Sequence, residues 1–284
     1  LVPTMSTISD VARRAGVSAM TVSRVVNGSG AIAPATRERV EAAIAELGYV
    51  PNALGRQLRS KRTRMVGLVL SDITNPFFTT IARGVEDLAR EAGYHVVFCD
   101  TDESDAEERR AITALVERQV DGILLVPASQ EVPTLPLLAA RRIPVVVLDR
   151  RIREPGIDSV ATDSIAAARL LARHLLGLGH RRIAVLTGRP GVSTSFDRLE
   201  GVRLAHAEVG LPFDEGLVQF GAYTAETGAS GYEMAQVALA LDPRPTALFA
   251  ANNFVAFGAL RAVAEAGLRI PDDLSFVTLS LIHI

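Results

Sequence analysis

Cysteine, lysine and tryptophan are nearly or wholly absent from this chain of 284 residues, which contains one cysteine, one lysine and no tryptophan. The single cysteine, Cys99, excludes an intrachain disulfide and a cysteine-based zinc site. No apolar run approaches the roughly 18 residues that a membrane-spanning helix requires. The first residues, LVPTMSTI, lack the charged start and long apolar segment of a signal peptide. We therefore expect a soluble cytoplasmic protein without a membrane partner.

Catalytic and cofactor-binding motifs are also missing from the sequence. It contains neither the phosphate-binding pattern GxxxxGK(S/T) nor a GxGxxG that opens a helix after a strand. No GxSxG is present, and the five histidines show no metal-ligand spacing: His95, His174, His180, His206 and His283. We therefore expect no catalytic residues, no metal and no cofactor, with an enzyme kept as the rival class of function.

Residues 7–27 contain two short amphipathic helical patterns with a glycine between them. Thr7 and Asp10 are spaced as a capping box for the first helix, and Gly16 ends that helix because glycine accepts a positive φ at low cost. Ser18 can cap the second helix, whose valines face the first. The residues left pointing outwards are Ala19, Met20, Thr21 and Arg24. This pattern is typical of a helix-turn-helix, which reads a DNA major groove, although such helix pairs also occur in ordinary bundles.

Charge is divided unevenly along the chain. Residues 1–64 carry ten basic and four acidic side chains, a net charge of +6, whereas the rest of the chain carries 20 basic and 28 acidic ones. A third helix, predicted to start at Pro34 and to end at Gly48, completes a small head. A basic N-terminal module joined to an acidic body indicates a nucleic-acid-binding head on a regulatory domain.

From Met65 onwards, short apolar runs alternate with amphipathic helical stretches. Strands that are apolar throughout and alternate with helices predict parallel sheets covered on both faces. The predicted strands are 65–70, 96–99, 122–126, 144–148, 183–186, 247–250 and 275–279. The predicted helices are 76–92, 106–118, 165–178, 195–209, 226–241 and 253–266. A break near residues 150–165 divides this α/β body into two lobes.

Polar and aromatic side chains follow the predicted strands or begin the helices after them. They are Ser71, Asp72, Asn75, Phe77, Asp100, Asp149, Arg150, Arg198, Asn252 and Asn253. In open parallel sheets, ligands bind beyond the carboxyl ends of the strands, so these residues predict a cleft for a small polar ligand. Asp72, Asn75 and Asp100 fit the roles of helix caps and turn formers equally well.

The stretch from Thr7 to Gly28 contains AxxAGVSxxTVSRVxNG and resembles the DNA-binding head of the lactose-repressor (LacI/GalR-type) family of bacterial transcription regulators. The resemblance continues through TRERVEAAIAELGYVPN and covers nearly all of the chain. It implies an all-α helix-turn-helix head plus an α/β body of two parallel-sheet lobes of the periplasmic-binding-protein type. The implied domains are a head at 5–50, a hinge helix or linker at 51–64, and an effector-binding and dimerisation body at 65–284.

The resemblance implies a homodimer on a palindromic operator, with two heads in successive major grooves. The implied DNA-binding residues are Thr7, Ser18, Ala19, Met20, Thr21, Ser23, Arg24, Asn27, Arg56 and Leu58. Among these, base readout is expected from Ala19, Met20 and Arg24. Leu58 matches the leucine that the family's hinge helix wedges into the minor groove, although the sequence of residues 51–64 alone also fits a solvated basic linker.

The resemblance also implies a ligand-controlled repressor whose effector is a sugar or sugar derivative. In the family, the aspartate of VLD and the arginine of RLxG contact the effector, and these are Asp149 and Arg198 here. The complete expected effector set is Asp72, Asn75, Phe77, Asp100, Asp149, Arg198 and Asn252. A carboxylate and a guanidinium suit the hydroxyl groups of a sugar.

Two features depart from the family pattern. Asn252-Asn253 stands where Asn-Asp is usual, and the chain reads TLSLIHI after Val277, where the family has VxxxDD and continues further. We therefore interpret the chain as C-terminally truncated, with part of the body missing. A transport-type sugar-binding protein shares the fold of the body and is the second rival, but it would show no salt-dependent retention on DNA.

Overall fold

The computed structural model describes residues 6–50, 62–222 and 229–279. These residues belong to two compact units, which divide between Arg62 and Thr63. No helix in the described part of the chain is long and apolar enough to cross a membrane.

The first unit is a three-helix head that follows the sequence prediction closely. Its helices are α1 (Ile8–Ala15), α2 (Ala19–Val26) and α3 (Pro34–Leu47). Thr7 and Asp10 form the predicted capping box. Gly16 and Gly48 end α1 and α3 with φ values of 66° and 56°, a left-handed conformation that favours glycine.

The core of the head is built from small apolar side chains. Val11, Val22 and Val40 are fully buried. The remaining buried members are Ala12, Ala15, Val25 and Ala43. Tyr49 packs against this cluster. Because α2 turns its valines into this core, its other face is left at the surface.

The second unit contains two lobes, and the first lobe is a five-stranded parallel sheet in the order β2-β1-β3-β4-β5. The strands are β1 (Met65–Leu70), β2 (His95–Asp100), β3 (Gly122–Leu125), β4 (Val145–Leu148) and β5 (Asp158–Val160). The helices are α4 (Pro76–Glu91), α5 (Asp105–Glu117) and α6 (Leu135–Arg141). Apolar clusters fill this lobe around the sheet.

The second lobe is a four-stranded parallel sheet in the order β7-β6-β8-β9. Its strands are β6 (Ile183–Gly188), β7 (Val218–Gly221), β8 (Ala247–Ala250) and β9 (Ser275–Thr278). Its α-helices are α7 (Ser164–Gly177), α8 (Ser193–Glu208), α9 (Ala229–Leu239) and α10 (Asn253–Glu265), and a 3-10 turn spans Glu215–Leu217.

Close helix packing in the second lobe depends on two glycines. A Cβ atom at Gly201 of α8 would lie 2.4 Å from the carbonyl oxygen of Ile165 in α7. A Cβ atom at Gly231 of α9 would lie 2.4 Å from the carbonyl oxygen of Val255 in α10. Both helix pairs, α7 with α8 and α9 with α10, therefore approach more closely than any other residue at these two positions would allow.

Four short elements were not predicted, and each has a weak sequence signal. The strand β5 is exposed throughout, and β7 is a partly exposed edge strand, so neither forms an apolar run. The helix α6 has only seven residues and contains a proline in its first turn, and the 3-10 turn has three. The predicted start of the helix 226–241 lies outside the described residues.

Candidate functional site

The outward face of α2 is the candidate DNA-reading surface of the head. Met20 has 56% of its surface exposed although it is apolar, and Ala19 and Arg24 are also exposed. Val22 and Val25 are buried on the opposite face. Within the described residues, Arg24 forms no ion pair, so its guanidinium is available to an external acceptor.

The polar residues at the ends of the first two helices bond within the head. The Oγ atom of Ser18 accepts a hydrogen bond from the Thr21 backbone N–H at 3.1 Å and lies 3.0 Å from the Thr21 hydroxyl. The Asn27 amide donates to the carbonyl oxygen of Ser23 at 2.7 Å. The hydroxyl of Thr7 donates to the carboxylate of its capping-box partner. The bonds of Ser18 and Asn27 hold the two ends of α2 in place, and the bond of Thr7 caps the start of α1.

The predicted hinge residues Arg56 and Leu58 lie outside the described residues. The prediction of a hinge helix at 51–64 therefore depends on the sequence.

A cavity of about 290 Å³ lies between the two lobes of the second unit. It is lined by Asn75, Phe77, Phe78, Glu103, Asp149, Arg150, Thr162, Ser164, Ala167, Thr194, Arg198, Asn252, Asn253 and Leu279. Many of these residues belong to the starts of α4, α7, α8 and α10, which converge here because parallel strands end at a common edge. Helix starts present free N–H groups and a partial positive charge to this space.

Two asparagines cap helices and face the cavity at the same time. The side chain of Asn75 accepts from the Phe77 N–H at 3.1 Å, and that of Asn252 accepts from the Val255 N–H at 2.8 Å. The Asn253 amide also donates to the Asn75 side chain at 3.4 Å, which joins the two lobes. The sequence allowed Asn75 to be either a helix cap or a ligand contact. Its position in the structure is compatible with both roles at once.

Asp149 is a buried acid of the cavity with an unusual backbone conformation. Its side chain is only 7% exposed, and its backbone has a φ of 61°, which is unusual for a residue other than glycine. Burial raises the pKa of the Asp149 carboxyl above its ordinary value of 3.8, an effect that the positive charges of Arg198 and Arg150 oppose. A desolvated carboxylate near guanidinium groups can accept hydrogen bonds from ligand hydroxyls strongly, because water does not compete.

A buried ion pair, which the sequence analysis did not identify, forms one wall of the cavity. Arg150 donates through two nitrogens to the Glu103 carboxylate, one of them at 2.9 Å, and also to the carbonyl oxygen of Pro127 at 2.7 Å. The two side chains are 4% and 9% exposed. Glu103 lies in the acidic stretch 102–108, a composition typical of a solvated surface, so no local pattern indicated its burial.

Three further hydroxyl residues of the cavity were also missed. Thr162 and Ser164 lie at the start of α7, and Thr194 lies in the first turn of α8. Their only sequence signal is their position at a helix start near the carboxyl edge of a sheet. That signal could have identified Ser164 and Thr194 if the bounds of α7 and α8 had been predicted one or two residues earlier, whereas Thr162 precedes α7.

Two predicted effector residues do not line the cavity. Asp72 accepts hydrogen bonds from the backbone and hydroxyl of Thr74, at 2.8 and 2.5 Å. Asp100 is exposed and accepts from the Ile73 N–H at 3.2 Å. Both aspartates therefore shape the turn that follows β1, whereas Asn75, Phe77, Asp149, Arg198 and Asn252 come together as expected.

Comparison with known proteins gives matches along nearly the whole chain. Residues 7–52 match the family model described as bacterial regulatory proteins, lacI family. Residues 63–281 match the model described as periplasmic binding proteins and sugar binding domain of LacI family.

Individual relatives agree with both matches. The chain is 34% identical to the HTH-type transcriptional repressor PurR of Photobacterium profundum, over 96% of this chain and 81% of that protein. It is 39% identical to the ribose operon repressor of Halalkalibacterium halodurans, over 96% and 80%. A crystal structure of the lac repressor dimer bound to operator and the anti-inducer ONPF has a TM-score of 0.83 and 29% identity, covering 97% of this chain and 82% of that chain.

Proposed function

The chain belongs to the LacI family of bacterial transcription regulators, and from this premise we propose which of its residues read DNA and which bind the effector. It is a sequence-specific DNA-binding regulator, a repressor rather than an enzyme, and it acts as a homodimer on operator DNA under the control of a small ligand. We further propose that it works at the bacterial nucleoid in the cytoplasm.

The observation that supports a DNA-reading role is the exposed face of α2 on a basic head. Arg24 is suited to bidentate hydrogen bonds with the O6 and N7 atoms of guanine. Ala19 and Met20 offer only apolar contact, for which the methyl group of thymine is the matching feature of the major groove. Thr7, Ser18, Thr21, Ser23 and Asn27 have internal hydrogen bonds in the head, so we assign them to phosphate positioning rather than to base readout.

The hinge supplies a second, minor-groove contact in this proposal. Each subunit inserts Leu58 at the centre of the operator, and Arg56 contacts the adjacent groove or phosphates. Wedging an apolar side chain between base steps unstacks them, and the bent duplex then contacts more protein surface. The effector alters the angle between the two lobes, which orders or melts the paired hinges and so changes operator affinity.

The chemistry of the cavity supports a sugar or sugar derivative as the effector. Its walls combine a carboxylate at Asp149, a guanidinium at Arg198 and amides at Asn75 and Asn252 with the aromatic side chain of Phe77. A sugar has hydroxyl groups around its edge and an apolar face of C–H groups, which match this combination. A volume of about 290 Å³ is at the small end of ligand pockets, which favours a monosaccharide.

Selection of bound duplexes from a random DNA pool tests the DNA-reading proposal. We expect the wild-type chain to enrich a palindrome with a central pyrimidine–purine step, because such steps kink easily. The Arg24→Ala variant, used as the matched control, should enrich the same half-site spacing with one relaxed base position. Failure of the wild type to enrich any sequence would contradict the proposal.

Thermal shift with a panel of pentoses and hexoses tests the effector proposal, since a ligand that binds only the folded state raises Tm. Purine nucleobases of similar volume serve as the comparison. We expect a shift with at least one sugar that is lost in Arg198→Ala. A shift with nucleobases alone would contradict the assignment of a sugar.

A further inference from the structure

Arg189 of the second lobe reaches across to the first lobe without lining the effector cavity. It follows the last residue of β6. Its Nη2 atom donates to the carbonyl oxygen of Glu103 at 2.5 Å and to that of Ala128 at 3.0 Å, and it lies 3.4 Å from the Glu103 carboxylate. One guanidinium nitrogen therefore joins loops that follow β2 and β3 of the opposite lobe.

The loop that Arg189 contacts has an unfavourable backbone conformation. Asp102 and Glu103 are consecutive residues other than glycine with φ values of 47° and 55°. Such residues crowd Cβ against the following carbonyl oxygen, and this conformation persists only where surrounding contacts determine it. The Glu103 N–H donates to the carbonyl oxygen of Ser71 at 2.8 Å, and the Glu103 carbonyl oxygen accepts from Arg189, so contacts on both sides hold this backbone.

The same loop is connected to the effector cavity. The Glu103 carboxylate accepts hydrogen bonds from the buried guanidinium of Arg150, and Arg150 directly follows Asp149 in the chain. Asp149 itself has a φ of 61°. A continuous series of contacts therefore runs from Arg189 through Glu103 and Arg150 to a carboxylate proposed to bind the effector. Two members of this series, Glu103 and Asp149, have positive φ values, as is common at ligand clamps and switches.

We propose that Arg189 is a positioning residue that acts as a latch between the lobes. It holds the strained Glu103 loop in the conformation that buries Arg150 and places Asp149, and it opposes opening of the cleft. Its side chain is 42% exposed at the rim, so an effector inside the cavity need not touch it. The latch is a property of the cleft, and only its expected influence on operator binding rests on the proposed function.

Hydrogen exchange measured by mass spectrometry on the full chain, without DNA or sugar, tests the latch. Two amides report it directly: the Glu103 N–H bonded to Ser71, and the Ala128 N–H, which donates to the buried Glu108 carboxylate at 2.7 Å. In Arg189→Ala we expect peptides covering 101–104 and 127–130 to exchange about tenfold faster, because bonds to charged donors are strong and local opening governs exchange.

Arg153→Ala is the matched control. It removes an exposed arginine whose 3.0 Å partner, Glu131, belongs to the same lobe, so it should leave both peptides unchanged. Unchanged exchange in Arg189→Ala, or acceleration spread equally over the cores of β1 and β6, would overturn the latch. Arg189→Gln, which retains one donor, should give an intermediate rate at the two peptides, and a rate equal to that of the wild type would also overturn it.

Operator binding provides a separate measurement. With the duplex selected by the wild-type chain, Arg189→Ala should change operator affinity severalfold, whereas Arg153→Ala should not. If the wild type selects no duplex, the DNA-binding proposal fails while the exchange experiment still decides the latch. If the wild type binds a selected duplex and local exchange is unaffected, the latch fails alone.

Discussion

The head and the body use charged residues in opposite ways. In the described part of the head every buried residue is apolar, and the charges are at the surface, as in the pair Arg14–Glu46, whose side chains are 56% and 53% exposed. In the body, Arg150 and Glu103 are almost completely buried, and Asp149 lies beside them. The head therefore exposes its charged side chains to solvent, whereas the body buries several of them beside the cavity.

This difference matches the ligands proposed for the two regions. DNA phosphates are charged and solvated, so a protein attracts them with exposed cations at a distance, and salt weakens that attraction. A small polar effector must be distinguished from similar molecules at close range. Desolvated charged groups with fixed partners serve that purpose, because a ligand that fails to satisfy them is strongly disfavoured.

The largest expected effect separates the two kinds of ion pair. Glu103→Gln removes the carboxylate to which the buried guanidinium of Arg150 is hydrogen-bonded, which should lower the free energy of unfolding of the body by about 3 kcal/mol or more. Glu46→Gln in the head removes a solvent-screened pair and should cost less than about 1 kcal/mol. Urea unfolding followed by circular dichroism measures both. Equal effects would mean that burial does not distinguish the two regions.

The hinge should come next, because it is the proposed route by which the body influences the head. Leu58→Ala should weaken operator binding on the order of 100-fold, since the wedge and the groove contacts that it opens are lost. Non-specific binding depends on phosphate neutralisation and should stay nearly constant. Fluorescence anisotropy with operator and scrambled duplexes measures both affinities. An equal fall on both duplexes would exclude the wedge.

Two arginines should separate the functions of the two regions. Arg24→Ala should weaken operator binding roughly 10-fold to 100-fold, corresponding to about 1–3 kcal/mol for a bidentate contact with guanine, and should leave sugar binding unchanged. Arg198→Ala should show the reverse pattern in calorimetric titrations with the sugar found by thermal shift. A variant that lost both activities would indicate misfolding and would not support either assignment.

The smallest expected effect concerns the energetic cost of a buried charge at Asp149. Its pKa is raised in the folded state by burial, so between 3.8 and the raised value the folded protein binds more protons than the unfolded one. The stability that this group contributes is therefore present at low pH and is lost as the pH rises through its folded pKa. Asp149→Asn should slightly raise Tm at neutral pH, while it weakens sugar binding about tenfold.

The pH dependence of Tm provides the control for this prediction. The difference between the wild type and Asp149→Asn should grow as the pH rises through the raised pKa and should be smallest below 3.8. A difference that is constant with pH would show that the substitution acts through packing and not through the charge.

The head was predictable because its signals are local. Thr7 and Asp10 are three positions apart and form their capping box within one turn, and Gly16 ends α1 through its own backbone conformation. The exposed side of α2 followed from the spacing of its valines, so the sequence pattern alone was enough to assign Met20 and Arg24 to the surface.

The cavity was predictable only in part. The rule that ligands bind at the carboxyl ends of parallel strands identified Asn75, Asp149 and Arg198, which line the cavity. The same rule selected Asp100, which the structure instead uses to hold a turn. The position of a residue after a strand can be read from the local sequence. Whether its side chain points towards the other lobe depends on the tertiary fold.

The sequence by itself determined the helices of the head, the alternation of strands and helices, the two lobes and the family. These depend on periodicity, caps and motifs within short windows, where each residue acts through its near neighbours. Only the tertiary structure decided that Glu103, in an acidic stretch typical of a solvated surface, is buried against Arg150 and held by Arg189. Those contacts join residues 47 and 86 positions apart, the first within one lobe and the second between the two lobes, and no local pattern encodes pairings that arise only when the chain folds.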